Sequence, residues 1–253
     1  MSIAAEQSTP EDTPAAAGTY VYGFVRRGTV ATIAAEGVAG AQVGVVEADR
    51  VAALVSELPD TELRVRRRDL RRHLDVVEEA FAATAILPCR FGTVVDSVDE
   101  LLVERGDRLL AALARLDGRV QLNVRATYDE ELLLADLVAR DPEIARLRES
   151  TRTLGDAGYY ERLRLGERVA ASVAAQREQD ADRIVAALQT EIDDAVLEDP
   201  PEGAALKASF LVDRKRLARF DDALEKIAAS AQPLLRFDVI GPLPPTAFAS
   251  TEA

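Results

Sequence analysis

The sequence predicts an α+β protein in two domains, an N-terminal α/β sandwich followed by a helix-rich C-terminal domain with a small β-α-β unit. Three observations carry this. Strand-like and helix-like segments alternate across residues 19–127, the pattern turns almost wholly helical beyond Asp129, and strand signals return around one amphipathic helix at Leu206–Val212 and Leu234–Ile240. The expected domains are 19–128 and 129–248, flanked by tails at 1–18 and 249–253.

Thr19–Val25 is β-branched and aromatic without helical spacing, and reads as the first strand. Gln42–Val46 reads as the second. Asp49 then offers a cap for a short helix over Arg50–Leu58, closed by Pro59. Leu70, Leu74, Val77 and Phe81 step by helical intervals and predict a helix from about Asp69 to Ala85.

Pro88 is expected to stop that helix, and Cys89–Val95 to follow as a strand with Gly92 inside it, where a missing side chain marks a bulge or a close neighbouring backbone. Ser97-Val98-Asp99-Glu100 has the spacing of a capping box and starts a helix reaching about Leu116, with a bend expected at Gly106. After a turn at Asp117-Gly118, Val120–Thr127 alternates apolar and polar residues, as a half-exposed strand does. Two helices on one face of a small, mostly antiparallel sheet would bury the apolar face of each element. That is a modified ferredoxin-like arrangement.

The second domain begins with helices over Glu130–Arg140 and Pro142–Arg148 and a loop at Gly155–Gly158. Leu165, Val169, Val173, Ile184, Leu188, Ile192 and Val196 then predict a single helix over about 160–197, near 50 Å long at roughly 1.5 Å per residue. The closing unit runs as strand, Asp213 cap, helix Lys215–Ala229 and strand. Gly241-Pro242-Leu243-Pro244-Pro245 is expected to end the last strand, because proline cannot donate to a ladder. Asp49, Asp96 with Ser97, Asp129 and Asp213 share local cap chemistry rather than a true repeat.

Composition narrows the function. A formal net charge of −13 disfavours nucleic acid and anionic membranes as partners of the whole molecule. One cysteine excludes an internal disulfide, and with one histidine no His-rich or cysteine-built metal site can form. Residues 1–18 lack the features of a secretory signal, and no apolar run approaches the roughly 20 residues of a spanning helix. A soluble protein in a reducing, cytosolic setting is expected, with no cofactor: neither standard phosphate-binding glycine loop is present.

Candidate chemistry is sparse. His73 and Cys89 could form a thiolate-imidazole pair, but Cys89 stands among apolar neighbours, where cysteine behaves as a small hydrophobe. Adjacent carboxylates such as Glu78-Glu79 do not face each other on a helix and read as solvated surface. Arg64, Arg66, Arg67, Arg68, Arg71 and Arg72 form the one basic cluster. It reads either as a contact for an acidic partner surface, with Arg67, Arg68, Arg71 and Arg72 at its centre, or as a solvated helix start bridged to nearby carboxylates. The long helix likewise reads as core before it reads as a partner groove.

The recognisable features are therefore structural. Tyr20-Val21-Tyr22-Gly23, then His73 with Val76-Val77-Glu78 on a helix, then Leu87-Pro88-Cys89 and the run Arg90, Phe91, Gly92, Thr93, resembles in that order the gas vesicle protein F/L family. So does the later course, with Phe210-Leu211-Val212 before a helix and Gly241, Pro242, Pro244 and Pro245 near the end. The resemblance covers about residues 19–248. The family's closing segment reads G-P-W-P-P-Y-x-F; here Leu243 stands for the tryptophan and Thr246 for the tyrosine, while Phe248 is kept.

The resemblance implies a minor, non-enzymatic component of gas vesicle formation, in the cytoplasm or the vesicle. Its expected partners are the major, small hydrophobic shell protein and other gas vesicle accessory proteins, met during nucleation or growth. Two other readings are a ferredoxin-like regulatory module binding a small ligand between its domains and a Cys-His hydrolase with a reactive Cys89.

Overall fold

The computed structural model describes residues 18–58, 66–154 and 158–249. The expected N-terminal tail, Pro59, Arg64, most of the Gly155–Gly158 loop and nearly all of the C-terminal tail lie outside the described residues. The chain divides into two compact units, the first ending at Arg115 and the second beginning at Leu116.

In the first unit, β1 (Thr19–Arg26), β2 (Gly44–Ala48), β3 (Val51–Glu57), β4 (Ile86–Pro88) and β5 (Val94–Val95) form an antiparallel sheet with α1 (Arg67–Ala83) and α2 (Val98–Leu116). The strand order is β2-β3-β1-β4, with β5 also on β1. The expected helix over Arg50–Leu58 is instead β3. Ala48 pairs with Val51 across a hairpin whose Asp49 has φ +49°, so Asp49 turns the chain rather than capping a helix. Val51–Ser56 is buried at every position, which removes the alternation that marks a half-exposed strand.

The buried stripe of α1 is Asp69, His73, Val76, Val77 and Ala80, rotated from the expected one, and Leu70 is exposed. The helix ends at Ala83, before Pro88, which closes β4 instead of stopping a helix. Cys89–Val95 is not one strand. β4 and β5 both pair with β1, and Arg90–Thr93 is a β-turn between them, with the Thr93 N–H donating to the Arg90 carbonyl at 3.2 Å. Gly92 has φ +91°, and a Cβ there would meet nothing within 4 Å. Its glycine is required by backbone conformation, not by a close neighbour. The close approach is at Gly23, where a Cβ would lie 2.8 Å from the Leu87 carbonyl oxygen. Ser97 Oγ accepts from the Glu100 N–H at 3.3 Å, which is half of the expected capping box, and α2 runs unbroken through Gly106.

The second unit holds β6 (Arg119–Tyr128), α3 (Glu130–Arg140), α4 (Pro142–Leu154), α5 (Tyr159–Leu188), β7 (Asp194–Glu198), β8 (Ala204–Asp213), α6 (Leu217–Ala231) and β9 (Leu235–Leu243). Its antiparallel sheet has the order β7-β8-β6-β9. The Val120–Thr127 strand thus lies not in the expected 19–128 domain but between β8 and β9, and it is mostly buried rather than half exposed. With β6 as its first strand, the second unit has the β-α-β-β-α-β order of a ferredoxin-like sheet, the first crossover being α3, α4 and α5. The α+β class with two antiparallel sheets stands. The first unit is the modified sandwich, completed without that strand.

The long helix stops at Leu188 rather than near 197, and its expected continuation is β7 on the edge of β8. Asp213 caps the 3-10 turn Arg214–Arg216 rather than α6 itself, accepting from the Lys215 N–H at 2.8 Å; α6 follows from Leu217 without a side-chain cap. The last strand does not break at Gly241. The β6–β9 ladder shifts register between Gln121 and Asn123 and resumes at Leu243. Gly241, at φ +153°, fits this bulge because a Cβ would lie 2.6 Å from Leu122 Cδ2 and 2.9 Å from the Gln121 carbonyl.

Candidate functional site

Arg90, Phe91, Gly92 and Thr93, which carry the resemblance in the sequence, form the turn that crosses the middle of β1, and the turn is tied to the core by one side-chain network. β-strand alternation puts Tyr20 and Tyr22 on the same face of β1, and α1 lays His73 against both. The Tyr20 hydroxyl lies 2.9 Å from His73 Nδ1, and His73 Nε2 lies 3.2 Å from the Cys89 carbonyl oxygen. A carbonyl only accepts, so Nε2 carries the proton, and Nδ1 accepts from Tyr20. The Tyr20 oxygen in turn accepts from the Gly92 N–H at 3.0 Å. Phe91 closes the site edge-on to both Tyr20 and His73.

Every polar atom of the network has a partner, and its electrostatics follow from burial. Burial holds His73 below its ordinary value, opposed by the hydrogen bond to Cys89. Burial likewise pushes the Tyr20 hydroxyl up to about 12, opposed by the Gly92 N–H. Beside it, Tyr22 accepts from the Val38 N–H at 2.7 Å and lies 2.9 Å from Ser56 Oγ. The two tyrosines thereby tie the loop before β2, β3, α1 and the Arg90–Thr93 turn to one strand.

The Cys-His pairing does not form, since His73 addresses the backbone carbonyl of Cys89 and not its thiol. The thiol is buried and pushed up to about 12 by that burial, the opposite of what a nucleophile needs. Among the described residues, no group of three or more His, Cys, Asp or Glu is arranged to hold a metal.

The basic cluster separates into two parts. Arg71 pairs with Asp75 at 2.8 Å, and Arg72 with Glu36 at 2.7 Å and Asp69 at 3.6 Å, so both follow the bridged reading. Arg67 and Arg68 are exposed in the first turn of α1 and have no ion pair among the described residues. Arg90 is exposed on its turn.

The closing segment docks on its own unit. Pro244 and Pro245 are buried, and Phe248, at 3 % exposure, sits in a 3-10 turn over Thr246–Phe248. The Ala247 N–H donates to Gln121 Oε1 at 2.8 Å, while Gln121 Nε2 donates to Asn123 Oδ1 at 2.7 Å. Gly241 and Pro242 lie within β9, so the segment reaches Gln121 as a continuation of the ladder. The positioning role of Tyr20, Tyr22 and Gln121 was not read from the sequence, where it carries one weak signal: polar atoms at inward positions of apolar strands, which must find partners.

The first half of α5 is not core. Only Asp180, Ile184 and Leu188 of its 30 residues are buried. Tyr159, Tyr160 and Leu163 are 62 %, 74 % and 50 % exposed. Asp180 closes the buried half, receiving the Tyr128 hydroxyl at 2.7 Å and Arg183 at 2.8 Å. No helix among the described residues is long and apolar enough to cross a membrane.

Comparison with known proteins places these features. The model of the family described as gas vesicle synthesis protein GvpL/GvpF matches residues 18–250. A gas vesicle protein F of Streptomyces sp. (strain CB03234) is 40 % identical over 237 residues, covering 91 % of this chain and 98 % of that protein. A gas vesicle protein L of the same strain is 30 % identical, covering 76 % of each. Among solved structures, GvpF from Anabaena sp. PCC7120 superposes with a TM-score of 0.81 at 23 % identity, covering 94 % of this chain and all of that one. GvpF from Microcystis aeruginosa gives 0.70 at 21 %, covering 92 % of this chain and 99 % of that one. Both units are spanned by these matches, and the chain belongs to the gas vesicle protein L/F family.

Proposed function

We propose that this protein is a non-enzymatic assembly component that binds the small hydrophobic shell protein during vesicle nucleation or growth. The observation that carries this reading is the outward apolar cluster at the N-terminal end of α5, where Tyr159, Tyr160 and Leu163 stand exposed in a family member. A subunit destined for a gas-facing wall exposes apolar surface before it is incorporated. An acidic protein with an apolar helix face can cover that surface and stay dispersed by its own charge. Arg67 and Arg68, left over by the local pairs of Arg71 and Arg72, add a contact for carboxylates on the shell protein or on other accessory proteins. The protein then works in the cytoplasm and at the growing vesicle.

Co-expression with the shell protein followed by pull-down tests this. The full chain retains the shell protein, and a Tyr160→Glu, Leu163→Glu double variant, folded by circular dichroism, retains much less. Equal retention by both would remove α5 from the interface, and no retention by the full chain would remove the proposal.

A further inference from the structure

We propose that β7 is a docking edge for an extended segment of a partner protein that alternates apolar with lysine or arginine side chains, added to the sheet as a further strand. The inference stands whether or not that partner is the shell protein. Among the described residues β7 pairs with β8 alone, so by strand geometry alternate backbone N–H and C=O groups face away from the sheet. Beside this edge runs a groove of about 590 Å³, bounded on one side by Asp182, Val185 and Ala186 of α5 and on the other by Ile192, Asp194 and Leu197. An added strand would lie between an edge strand and a helix, as in other peptide sites built by strand addition.

The side chains say what fits. Leu197 alternates with Val196 and Glu198 along β7; it is 55 % exposed and projects on the face where its neighbour Ala195 meets Phe210 of β8. Val185, Ala186 and Leu197 therefore offer an apolar floor to every second residue of the incoming strand. The rim is acidic. Asp182 and Asp194 have no cation partner among the described residues, and the carbonyl end of α5 at Leu188 adds to the negative potential. Asp193 and Glu198 are already neutralised, by Arg119 and Arg216 and by Lys207.

Charge also disfavours a second copy of this chain as the occupant. Self-pairing would set Asp194 and Asp182 of one copy near those of the other, a cost that a cationic strand turns into attraction. The other long edge is blunted: β9 carries the Gly241 bulge and Pro242, which has no N–H to give.

The test is selection of a displayed library of random short segments on the full chain. It is followed by amide hydrogen exchange with the enriched peptide and by affinity measurement on Ala186→Arg and Asp182→Lys, two exposed helix positions that tolerate substitution. Peptides alternating apolar and basic residues, slower exchange across Asp194–Glu198, and roughly tenfold weaker binding by each variant are expected. Enriched peptides without basic residues, or binding unchanged in Ala186→Arg, would overturn the proposal. So would a dimer of the chain alone that Ala186→Arg abolishes, since the occupant would then be a second copy.

Discussion

The Tyr20 hydroxyl and His73 Nδ1, on β1 and α1, are 2.9 Å apart inside a network that ends on the backbone of the Arg90–Thr93 turn. The pair gives the single histidine on the buried face of α1 a structural role: it links a helix to a turn through buried hydrogen bonds.

Tyr20→Phe keeps the ring and removes the oxygen, leaving His73 Nδ1 and the Gly92 N–H without their partner. A loss of about 1–3 kcal/mol in unfolding free energy is expected. Urea titration checks it, and a loss under about 0.5 kcal/mol would mean that water replaces the hydroxyl.

The same network sets a pH dependence. His73 is held below its ordinary value by burial, so in the pH range beneath about 6.5 the unfolded chain takes up a proton that the folded one refuses. Stability is complete above that range and falls as pH drops through it, by at most ~1.4 kcal/mol per pH unit from this one group. Urea midpoints between neutral pH and the onset of carboxylate protonation measure the slope. His73→Gln should be less stable overall and flatter, and an unchanged slope would place the titrating group elsewhere.

Gly92 and Gly23 are required for different reasons, and substitution separates them. At Gly92 there is room for a side chain but φ is +91°, so Asn should be tolerated best, Ala should cost about 1 kcal/mol and Val more. At Gly23 even Ala would press on the Leu87 carbonyl 2.8 Å away. Gly92→Val should lower the melting temperature first and partner binding only as a consequence. A fully folded Gly92→Val that failed to bind would make the turn itself a contact surface.

Phe248→Ala tests whether the closing segment is a structural part of the second unit. The ring is buried and its turn is fixed to Gln121, so a loss of about 3–5 kcal/mol is expected by thermal or urea unfolding. Little change would show that Pro244 and Pro245 hold the segment unaided.

Legibility in the sequence followed locality. β1, α3, the Ser97 cap and the helix of the closing unit could be read because each has its own pattern within a few residues. β3 could not, since burial on both faces erased its alternation and Asp49 suits a hairpin as well as a cap. Ile192 and Val196 continue the spacing of α5, and only pairing with β8 shows that they lie beyond its end. The sheet to which β6 belongs depends on contact with residues some ninety positions away, which no window of sequence contains. At the candidate site, the Arg90–Thr93 turn itself was not legible, because a turn and a bulged strand call for the same glycine. For Arg71 and Arg72 the sequence left a partner contact and a bridged helix start both open, and the carboxylates placed beside them give the bridged one.

On the function proposed above, the protein promotes vesicle formation by holding shell protein on the Tyr159, Tyr160 and Leu163 cluster of α5. Counting vesicles by electron microscopy in a strain lacking this gene, complemented with the wild-type chain or with the Tyr160→Glu, Leu163→Glu variant at equal protein level, tests it most directly. Vesicles with the wild-type chain and few or none with the variant are expected. Normal vesicles in the uncomplemented deletion strain, or full rescue by the variant, would contradict it.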